Sequence, residues 1–343
     1  MVLMSRETKI AIVVLNWNGA SDSIACIDSL LSSTIIPDII LVDNNSSDNS
    51  VEILDQYIKQ FQNIHFIKNN KNSGFTGGNN VGFIHALSKN YDYIGTLNPD
   101  AVASKEWVEN LVSELNLSNE VGIATGILAR QDYKTIDTTG EIYSIWGVPS
   151  PRGRDTLLKN APSKPEFIFA STGGGFITRA SVLRSIGMFD EKFFMYFEDV
   201  DLCFRAQLAG YKVRYTPKAI AYHKLSASTN KVPGLAVYNT FKNLPMLFLR
   251  NVPLRLWGTI LPRFTLAYVL ILGNAIVHKR GIPALKGWLM SIYHLPHSLI
   301  SRRVIQKSRR VSAGYISSIM LHDIPPEQTG LRKFRSLFIS DHK

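Results

Sequence analysis

Acidic and aromatic side chains are concentrated in residues 189–201, which hold five carboxylates and five aromatic rings. Three consecutive glycines, Gly173, Gly174 and Gly175, precede this segment. A solvent-facing surface does not need so many aromatic rings, and an apolar core does not accommodate so many carboxylates. The mixture is typical of a site where an ionised group acts on a substrate in a partly dry pocket. The alternative is an amphipathic helix whose first turn carries acids near its positive end.

Two further carboxylates follow apolar runs of the chain. Asp43 comes after residues 39–42, and Asp100 comes after residues 93–97, with Pro99 between. Because ligands of open parallel sheets bind beyond the carboxyl ends of the strands, we expect both acids at one rim. An Asp after a strand is otherwise a turn or a helix cap. Pro99 fixes the backbone before Asp100, and a rigid carboxylate with open neighbours suits Mg²⁺ or Mn²⁺ held mainly by substrate phosphates.

Residues 71–80 form a predicted glycine-rich loop ahead of a helix. The backbone amides of such a loop could receive phosphate oxygens. The loop matches neither the Walker motif nor the dinucleotide fingerprint, because no Lys-Ser/Thr pair follows the glycines and the spacing is not G-x-G-x-x-G. This difference argues against an ATPase and against a dehydrogenase.

The elements that must position these residues alternate between two patterns. Continuous apolar runs predict buried strands at residues 10–15, 39–42, 64–67 and 93–97. Helical patterns at residues 24–31, 51–61 and 81–87 separate them. This alternation predicts an α/β domain with a largely parallel sheet. Prolines between residues 147 and 166 predict a long, mobile connection that could serve as a lid.

The net charge of +11 is unevenly distributed. Residues 231–343 hold 17 Lys and Arg against 3 Asp and Glu, whereas residues 1–230 hold 21 against 24. Basic tails of this kind meet nucleic acid or anionic membrane surfaces. Two cysteines, Cys26 and Cys203, indicate no disulfide framework and favour a reducing, cytosolic compartment. The polar N-terminus gives no indication of a signal peptide.

The basic tail also contains apolar stretches. Residues 256–262 and 264–277 are separated by Arg263. Either stretch is too short to cross a bilayer, which needs about 20 residues, and an Arg near the middle of a joined span is costly. Flanking cations favour helices lying at a membrane interface beside anionic headgroups. A buried core helix and a true span are the alternatives.

Five ordered motifs together resemble one family of enzymes. They lie at residues 14–19, 42–48, 72–82, 97–100 and 187–205, and His223 follows after a further strand. Over residues 8–250 the chain resembles the family 2 glycosyltransferases, inverting nucleotide-sugar enzymes of the GT-A fold, and within them the bacterial rhamnosyltransferase-like branch. The resemblance implies a Rossmann-like, mostly parallel sheet flanked by helices in residues 1–240. Residues 241–343 are then a basic, partly apolar helical extension that associates with a membrane.

The resemblance also implies roles for individual residues. Asp199 is expected to be the general base, and Asp100 and His223 are expected to hold Mg²⁺ or Mn²⁺ at the diphosphate. Contacts to the nucleotide-sugar are expected at Trp17, Asn18, Asp43, Asn72, Gly74, Asn80, Asn98 and Asp100. Contacts to the acceptor are expected at Gly174, Gly175, Tyr196 and Glu198. Asp43 would bind the imide N–H of a uracil or thymine base, with Trp17 packing near it.

Alternatives remain at several of these positions. Glu198 could cap a helix, and His223 could be an ordinary core histidine. Asp201 and Arg205, spaced i, i+4, could simply pair with each other. Asn98 stands where the family commonly has Asp. Aromatic side chains that could stack on a sugar are Trp146, Phe193, Phe194 and Tyr196, although they could equally be core residues.

The expected activity is transfer of a sugar to a hydroxyl of a glycan or lipid-linked acceptor in bacterial cell-surface polysaccharide synthesis. L-rhamnose from dTDP-rhamnose is the preferred donor, and a UDP- or GDP-hexose is the alternative. The expected location is the cytoplasm, peripheral at the cytoplasmic face of the inner membrane. A nucleic-acid-binding protein would need cations interleaved with stacking aromatics and few acids, which the acidic rim does not favour, so no nucleic-acid partner is expected. A catalytically inactive scaffold of the same fold is a third alternative.

Overall fold

The structure, a computed structural model, describes residues 8–224 and 232–324. Its strands are β1 (Ile10–Asn16), β2 (Asp38–Asp43), β3 (Ile64–Lys68), β4 (Tyr93–Leu97), β5 (Ala101–Ala103), β6 (Val121–Arg130), β7 (Ile136–Thr138), β8 (Glu141–Tyr143), β9 (Pro149–Pro151), β10 (Glu166–Ile168), β11 (Gly175–Arg179) and β12 (Lys212–His223). Its α-helices are α1 (Ala20–Leu31), α2 (Ser50–Ile58), α3 (Gly74–Ser88), α4 (Trp107–Asn116), α5 (Ala180–Ile186), α6 (Glu198–Leu208), α7 (Leu235–Asn251), α8 (Trp257–Val277), α9 (Gly281–Tyr293), α10 (Leu295–Lys307) and α11 (Ala313–Ser318).

Most strands join one mixed sheet in the order β10-β12-β6-β11-β4-β1-β2-β3. The four strands predicted from apolar runs are present as β1 to β4, and they pair in parallel. β11 runs antiparallel between β4 and β6, and β12 is parallel to β6. Because β11 is reversed, its first residues lie beside the carboxyl end of β4. The α/β architecture and the helical C-terminal region predicted from the sequence are confirmed.

The sheet is covered on both faces. Along β1, Ala11 and Val13 join one apolar cluster with α3, α6 and α7. Ile12 and Val14 face the other way into a cluster with α1 and α4. Side chains of a strand alternate between the two faces, so a strand buried on both sides must be continuously apolar. This burial explains why the strand runs are readable from the sequence alone.

The glycines of residues 71–80 are closely packed. α3 begins at Gly74, so most of the predicted loop is helical. A Cβ on Gly78 would lie 2.4 Å from Leu15, and one on Gly82 would lie 2.5 Å from Val13. The glycines therefore let α3 lie directly on β1. The amides of Gly74, Thr76 and Gly77 donate to oxygens within the protein. Phosphate binding by the amides of residues 71–80 stays a prediction.

The proline-containing connection between residues 147 and 166 has structure of its own. β9 pairs antiparallel with β8, and a 3-10 turn follows at Leu158–Asn160. The carbonyl of Pro162 accepts a hydrogen bond of 3.0 Å from the Tyr215 hydroxyl. A lid function for this connection stays a prediction.

The C-terminal helices pack on one another and on the sheet domain through α7. α7 packs against α9, α10 and α6, and a Cβ on Gly287 of α9 would lie 2.2 Å from the Tyr238 carbonyl. The segment Leu254–Val277 is the one helix among the described residues that is long and apolar enough to cross a membrane, and 22% of its most apolar window is buried. The predicted division after residue 240 falls within α7 and stays a prediction.

Candidate functional site

Strand ends bring most of the predicted site residues to one rim of the sheet. Asp43 is the last residue of β2, Asp100 follows β4, and His223 is the last residue of β12. The register pairs Asn16 with Asp43, Leu97 with Gly175, and Ala101 with His223. The rim predicted from residues after strands therefore exists, and the antiparallel β11 brings the glycine run to it.

The carboxylate of Asp43 is buried and held by two neighbours. Its Oδ1 accepts from Asn16 Nδ2 at 2.7 Å and from Ser46 Oγ at 2.6 Å, and its Oδ2 accepts from the Ser46 amide at 2.9 Å. An ionised carboxylate oxygen can accept two hydrogen bonds. Oδ2 therefore keeps one acceptor position, which matches a single N–H donor on a ligand.

The residues after β1 shape the loop beside Asp43. Asn18 has a left-handed backbone with φ 53°, its amide donates to Ser46 Oγ at 2.9 Å, and its side-chain oxygen accepts from the Ser47 amide at 2.7 Å. Trp17 precedes it and is half-buried at the same rim. Asn18 thus fixes the loop that in turn holds Asp43.

Three other residues that were predicted to contact the nucleotide-sugar have hydrogen-bond partners within the protein. The Oδ1 of Asn72 accepts from Asn44 Nδ2 at 3.0 Å and from the Gly74 amide at 2.9 Å. Asn80 is buried, and both of its amide atoms bond the main chain of Phe189, at 2.9 and 3.1 Å. These contacts favour a supporting role for Gly74 and Asn80.

His223 lies between two carboxylates. Its Nε2 is 3.0 Å from Asp100 Oδ1 and 3.2 Å from Asn98 Nδ2, and its Nδ1 is 3.1 Å from Asp137 Oδ2. Asp137 is buried in β7 and is held in turn by Arg154 at 3.0 Å. Burial lowers the pKa of His223, but the hydrogen bonds and charges of Asp100 and Asp137 outweigh it and raise the pKa to about 9.

This cluster has the chemistry of a partial divalent-metal site. Asp100 and His223 offer an oxygen and a nitrogen on one side, and Asp137 accepts Nδ1–H from behind, as second-layer carboxylates do for metal-bound histidines. No group of three or more His, Cys, Asp or Glu side chains forms a complete cation site in residues 8–224 and 232–324. Mg²⁺ is commonly bound by one or two carboxylates together with substrate phosphates and water. The residues present therefore fit a metal that the diphosphate helps to hold.

Asp199 lies in the first turn of α6, beside the glycine run. Its Oδ2 accepts from the Gly173 amide at 2.7 Å, and its Oδ1 accepts from the Val200 amide at 2.8 Å. Burial raises the pKa of Asp199, whereas the hydrogen bonds from these two backbone amides lower it. The effect of burial is larger, so the pKa lies above its ordinary value. A carboxylate with a raised pKa is a stronger base than an ordinary aspartate.

Glu198, the neighbour of Asp199, is buried rather than presented to the rim. Among the described residues, its Oε2 has no hydrogen-bond partner. Burial raises the pKa of Glu198 well above its ordinary value, and the charge of Asp199 raises it further. The buried ammonium of Lys242 opposes this shift, and burial in turn lowers the pKa of Lys242 to about 8.

The remaining predicted acceptor contacts are two glycines of the rim and one aromatic residue. Gly174 accepts from the Asn98 amide at 3.0 Å, and a Cβ on Gly174 would lie 3.3 Å from Asn98 Nδ2. Gly175 is buried where β11 begins, and Tyr196 is half-buried. Phe193 is fully buried, so its suggested role in stacking on a sugar is wrong.

Ion pairs tie the acidic segment to the helices behind it. Asp201 accepts from Arg205 Nε at 2.8 Å, which confirms the i, i+4 pair, and also from Asn251 Nδ2 at 2.8 Å. Asp190 pairs with Arg250 and with His297, the latter at 2.6 Å. These two acids are therefore structural anchors of the segment.

Sequence reasoning did not identify Asn16 or Asp137 as parts of the site. Asn16 ends a strand as Asp43 does, so its position at a strand end was a usable signal. Asp137 lies in the short strand β7, which pairs with β6 beside a register irregularity. Nothing in the surrounding residues marks this position.

Comparison with known proteins identifies the family. The profile of the family described as Glycosyl transferase family 2 matches residues 11–197. The chain is 27% identical over 240 residues to the low-salt glycan biosynthesis hexosyltransferase Agl10 of Haloferax volcanii, covering 68% of this chain and 73% of the relative. It is 24% identical over 226 residues to an N-acetylglucosaminyl-diphospho-decaprenol L-rhamnosyltransferase of Mycobacterium tuberculosis, covering 57% and 69%.

A solved structure shares the fold. The mannosyltransferase PcManGT from Pyrobaculum calidifontis, in complex with GDP-Man and Mn²⁺, superposes with a TM-score of 0.54 at 12% identity, covering 92% of this chain and 88% of that chain. The matched profile spans more than half of the 343 residues. The chain therefore belongs to glycosyltransferase family 2 and has the GT-A fold, with rhamnosyltransferases among its relatives.

Proposed function

We propose that this protein is a metal-dependent, inverting glycosyltransferase whose general base is Asp199. The observation that carries the proposal is the placement of two kinds of group on one rim. Asp199 accepts from the Gly173 amide, and the next residue, Gly174, accepts from the amide of Asn98, which lies beside His223 and two residues before Asp100. A sugar bound across the glycines would have its anomeric carbon between a base and a diphosphate site.

The proposed reaction is a single displacement at the anomeric carbon. The acceptor hydroxyl attacks as Asp199 takes its proton, and the bond between carbon and diphosphate oxygen breaks on the opposite face. Asp100 and His223 would hold Mg²⁺ or Mn²⁺, which supplies positive charge to the departing nucleoside diphosphate. Asp137 keeps the Nε2 of His223 directed at that position.

The donor is proposed to be a pyrimidine nucleotide-sugar, with dTDP-rhamnose preferred. The remaining acceptor position on Asp43 Oδ2 suits the imide N–H of thymine or uracil. The rhamnosyltransferase of Mycobacterium tuberculosis supports the choice of sugar, and its named acceptor, a diphospho-decaprenol glycan, supports a lipid-linked acceptor here. A UDP-hexose would satisfy the same contact at Asp43.

We also propose peripheral attachment to the cytoplasmic face of the inner membrane. Of the 26 large hydrophobic side chains exposed in the described part of the chain, 16 lie between residues 254 and 304. This stretch contains seven Lys and Arg and no Asp or Glu. Exposed apolar faces beside cations are the pattern of helices that lie on anionic bilayers.

The test is release of nucleoside diphosphate from dTDP-rhamnose and from UDP- and GDP-sugars, with a lipid-linked glycan extract as acceptor and with Mg²⁺, Mn²⁺ or EDTA. We expect dTDP-rhamnose to be consumed with metal and acceptor present, and Asp199→Asn to lower kcat by about 100-fold or more while it still binds donor. Asp155→Asn, which changes an exposed aspartate paired with Arg130, is the control. Full activity of Asp199→Asn would refute the assignment of the base, and turnover of another donor alone would refute rhamnose.

A further inference from the structure

The four residues before Glu198 have an unusual backbone. Phe194, Tyr196 and Phe197 adopt positive φ angles of 63°, 70° and 69°. Such angles are unfavourable for residues with a side chain, and they persist only where the surroundings impose them. Phe197 is also the N-cap of α6, the residue immediately before its first residue Glu198. The conformation of this segment therefore determines where Asp199 lies.

One side chain of α7 hydrogen-bonds to three main-chain carbonyls in and just before that segment. The Nδ2 of Asn243 lies 3.0 Å from the Phe193 carbonyl, 2.8 Å from the Met195 carbonyl and 2.9 Å from the Tyr196 carbonyl. Its two hydrogens are shared among three acceptors. The neighbouring Lys242 Nζ donates to the Phe193 carbonyl as well, at 3.1 Å.

The segment is held from its other side by α3. The Phe194 carbonyl accepts from the Thr76 amide at 3.1 Å. Gly74 packs so tightly on this turn that a Cβ there would lie 2.5 Å from the same carbonyl. The strained turn is therefore clamped between α3, which lies within the family match at residues 11–197, and α7, which lies beyond it.

We infer that Asn243 is a positioning residue for catalysis, which fixes the turn at residues 193–197 so that the Asp199 carboxylate meets the acceptor hydroxyl. The inference rests on the proposed function, because it needs Asp199 as the base. Asn243 is fully buried and acts only through the backbone of the turn. Without its amide, the three carbonyls lose their common donor, and the left-handed residues can relax toward ordinary angles. A displacement of about 1 Å at a reacting group can lower the rate about 100-fold.

The same helix supplies a closely matched control. Asn239 lies one turn before Asn243 and is equally buried. Its Nδ2 donates only to the Leu235 carbonyl of its own helix, at 3.1 Å, and both residues have a buried Oδ1 with no partner among the described residues. Asn239→Ala and Asn243→Ala therefore remove the same side chain from the same environment, and only the second releases the turn.

The experiment compares full-length Asn243→Ala, Asn243→Leu and Asn239→Ala by thermal unfolding, donor Kd and transfer kinetics. We expect both Asn243 variants to lose about 100-fold in kcat with donor Kd and donor KM within about twofold of wild type. Asn239→Ala should keep its kcat within about threefold. The Leu variant retains the side-chain volume, so its result separates the lost donor from a lost contact.

Three outcomes would overturn the inference. The first is equal kcat for the Asn243 and Asn239 variants. The second is a loss that appears only in donor KM. The third is failure of both Asn243 variants to fold while Asn239→Ala folds, since the amide would then serve the fold itself. Asp199→Asn in the same series separates the two proposals: if it stays active, the proposed base is wrong, and if it is inactive while Asn243→Ala is normal, only the positioning role is wrong.

Discussion

Asp137 Oδ2 lies 3.1 Å from Nδ1 of His223, on the opposite side of the imidazole ring from Asp100. This hydrogen bond keeps the proton on Nδ1 and turns Nε2 toward the rim. In the proposed metal site, His223 would be a ligand whose orientation is set by Asp137.

We therefore expect Asp137→Asn to weaken Mn²⁺ binding about 10- to 100-fold in the presence of nucleoside diphosphate, because loss of a second-layer carboxylate typically has that effect. Titration calorimetry with Mn²⁺ and dTDP measures it. Asp132→Asn, on an exposed turn nearby, should bind Mn²⁺ as wild type does. Unchanged affinity in Asp137→Asn would show that this carboxylate does not support the metal.

The contact of α3 with β1 predicts a stability effect without a catalytic cause. A Cβ on Gly82 would lie 2.5 Å and 2.7 Å from the two methyl carbons of Val13, which is fully buried. Valine cannot turn away easily because it is branched at Cβ. Gly82→Ala should lower the free energy of unfolding by about 1–3 kcal/mol.

Gly273→Ala is the opposite case, because a Cβ there meets nothing within 4 Å. It should raise the free energy of unfolding by up to about 1 kcal/mol through helix propensity. Urea unfolding followed by circular dichroism compares the two variants. A Gly82→Ala variant that is as stable as wild type, or more stable, would show that α3 and β1 can move apart without loss of unfolding free energy.

The ion pairs of Asp190 predict a dependence of stability on pH. Burial raises the pKa of Asp190, but Arg250, His297 and the Lys192 amide outweigh it and lower the pKa to about 2 from an ordinary value of 3.8. A lowered pKa in the folded state stabilises the protein above about pH 4, and this contribution is lost as the pH falls through about 2. The shift corresponds to about 2 kcal/mol.

Asp190→Asn should therefore lose at least about 2 kcal/mol of unfolding free energy at pH 7, and its stability should fall less steeply than that of wild type between about pH 4 and pH 2. Urea unfolding over that range provides the comparison. Asp55→Asn removes an exposed ion pair with Lys68 and should destabilise the protein much less than Asp190→Asn, because surface ion pairs contribute little. Equal losses for the two variants would contradict the anchoring role of Asp190.

The outward face of α9 provides a test of the proposed membrane attachment. Ile282, Leu285, Leu289 and Ile292 are spaced as one helical stripe, and all four are exposed. Replacing Leu285 and Leu289 together by Ser should lower the partition coefficient onto phosphatidylglycerol vesicles at least about tenfold, because each leucine loses its burial in lipid. Cosedimentation with vesicles measures the effect.

A double change of Ile35 and Ile36 to Ser alters two exposed apolar residues elsewhere on the surface and should leave vesicle binding unchanged. Added salt should weaken the part of the binding that depends on Lys and Arg. Binding to duplex DNA in preference to vesicles would contradict the membrane proposal and would indicate that the basic extension binds nucleic acid.

The sequence predicted those parts of the fold whose cause is local. β1 to β4 are continuous apolar runs because they are covered on both faces. Asp43 and Asp100 were singled out because each comes after an apolar run, whereas His223 was added only because the family resemblance implies it. The crowding of acids and aromatic rings singled out residues 189–201, and the family resemblance selected Asp199 within them. Each of these local signals lies within a few residues of the position it marks.

Other parts depend on contacts that no local pattern records. Asp137 matters only because β7 lies against β6 beside the end of β12. Most of the glycine-rich segment at residues 71–80 is helical rather than a loop. Glycine permits both close approach of a phosphate and close packing on a strand, so its presence alone does not distinguish the two. Asn243 lies in α7, within residues that the sequence analysis assigned to the C-terminal extension. Its proposed role depends on a turn about 50 residues earlier in the chain.

The long separations across the rim also determine when the enzyme can become active during its synthesis. Asp100 and His223 are 123 residues apart along the chain, and His223 and Asp137 are 86 residues apart. Asn243 and Tyr196 are 47 residues apart. Contacts this distant form late, after the cost of closing large loops has been met. A nascent chain on the ribosome can therefore pair β1 to β4 early, yet it has no assembled site until α7 has left the exit tunnel.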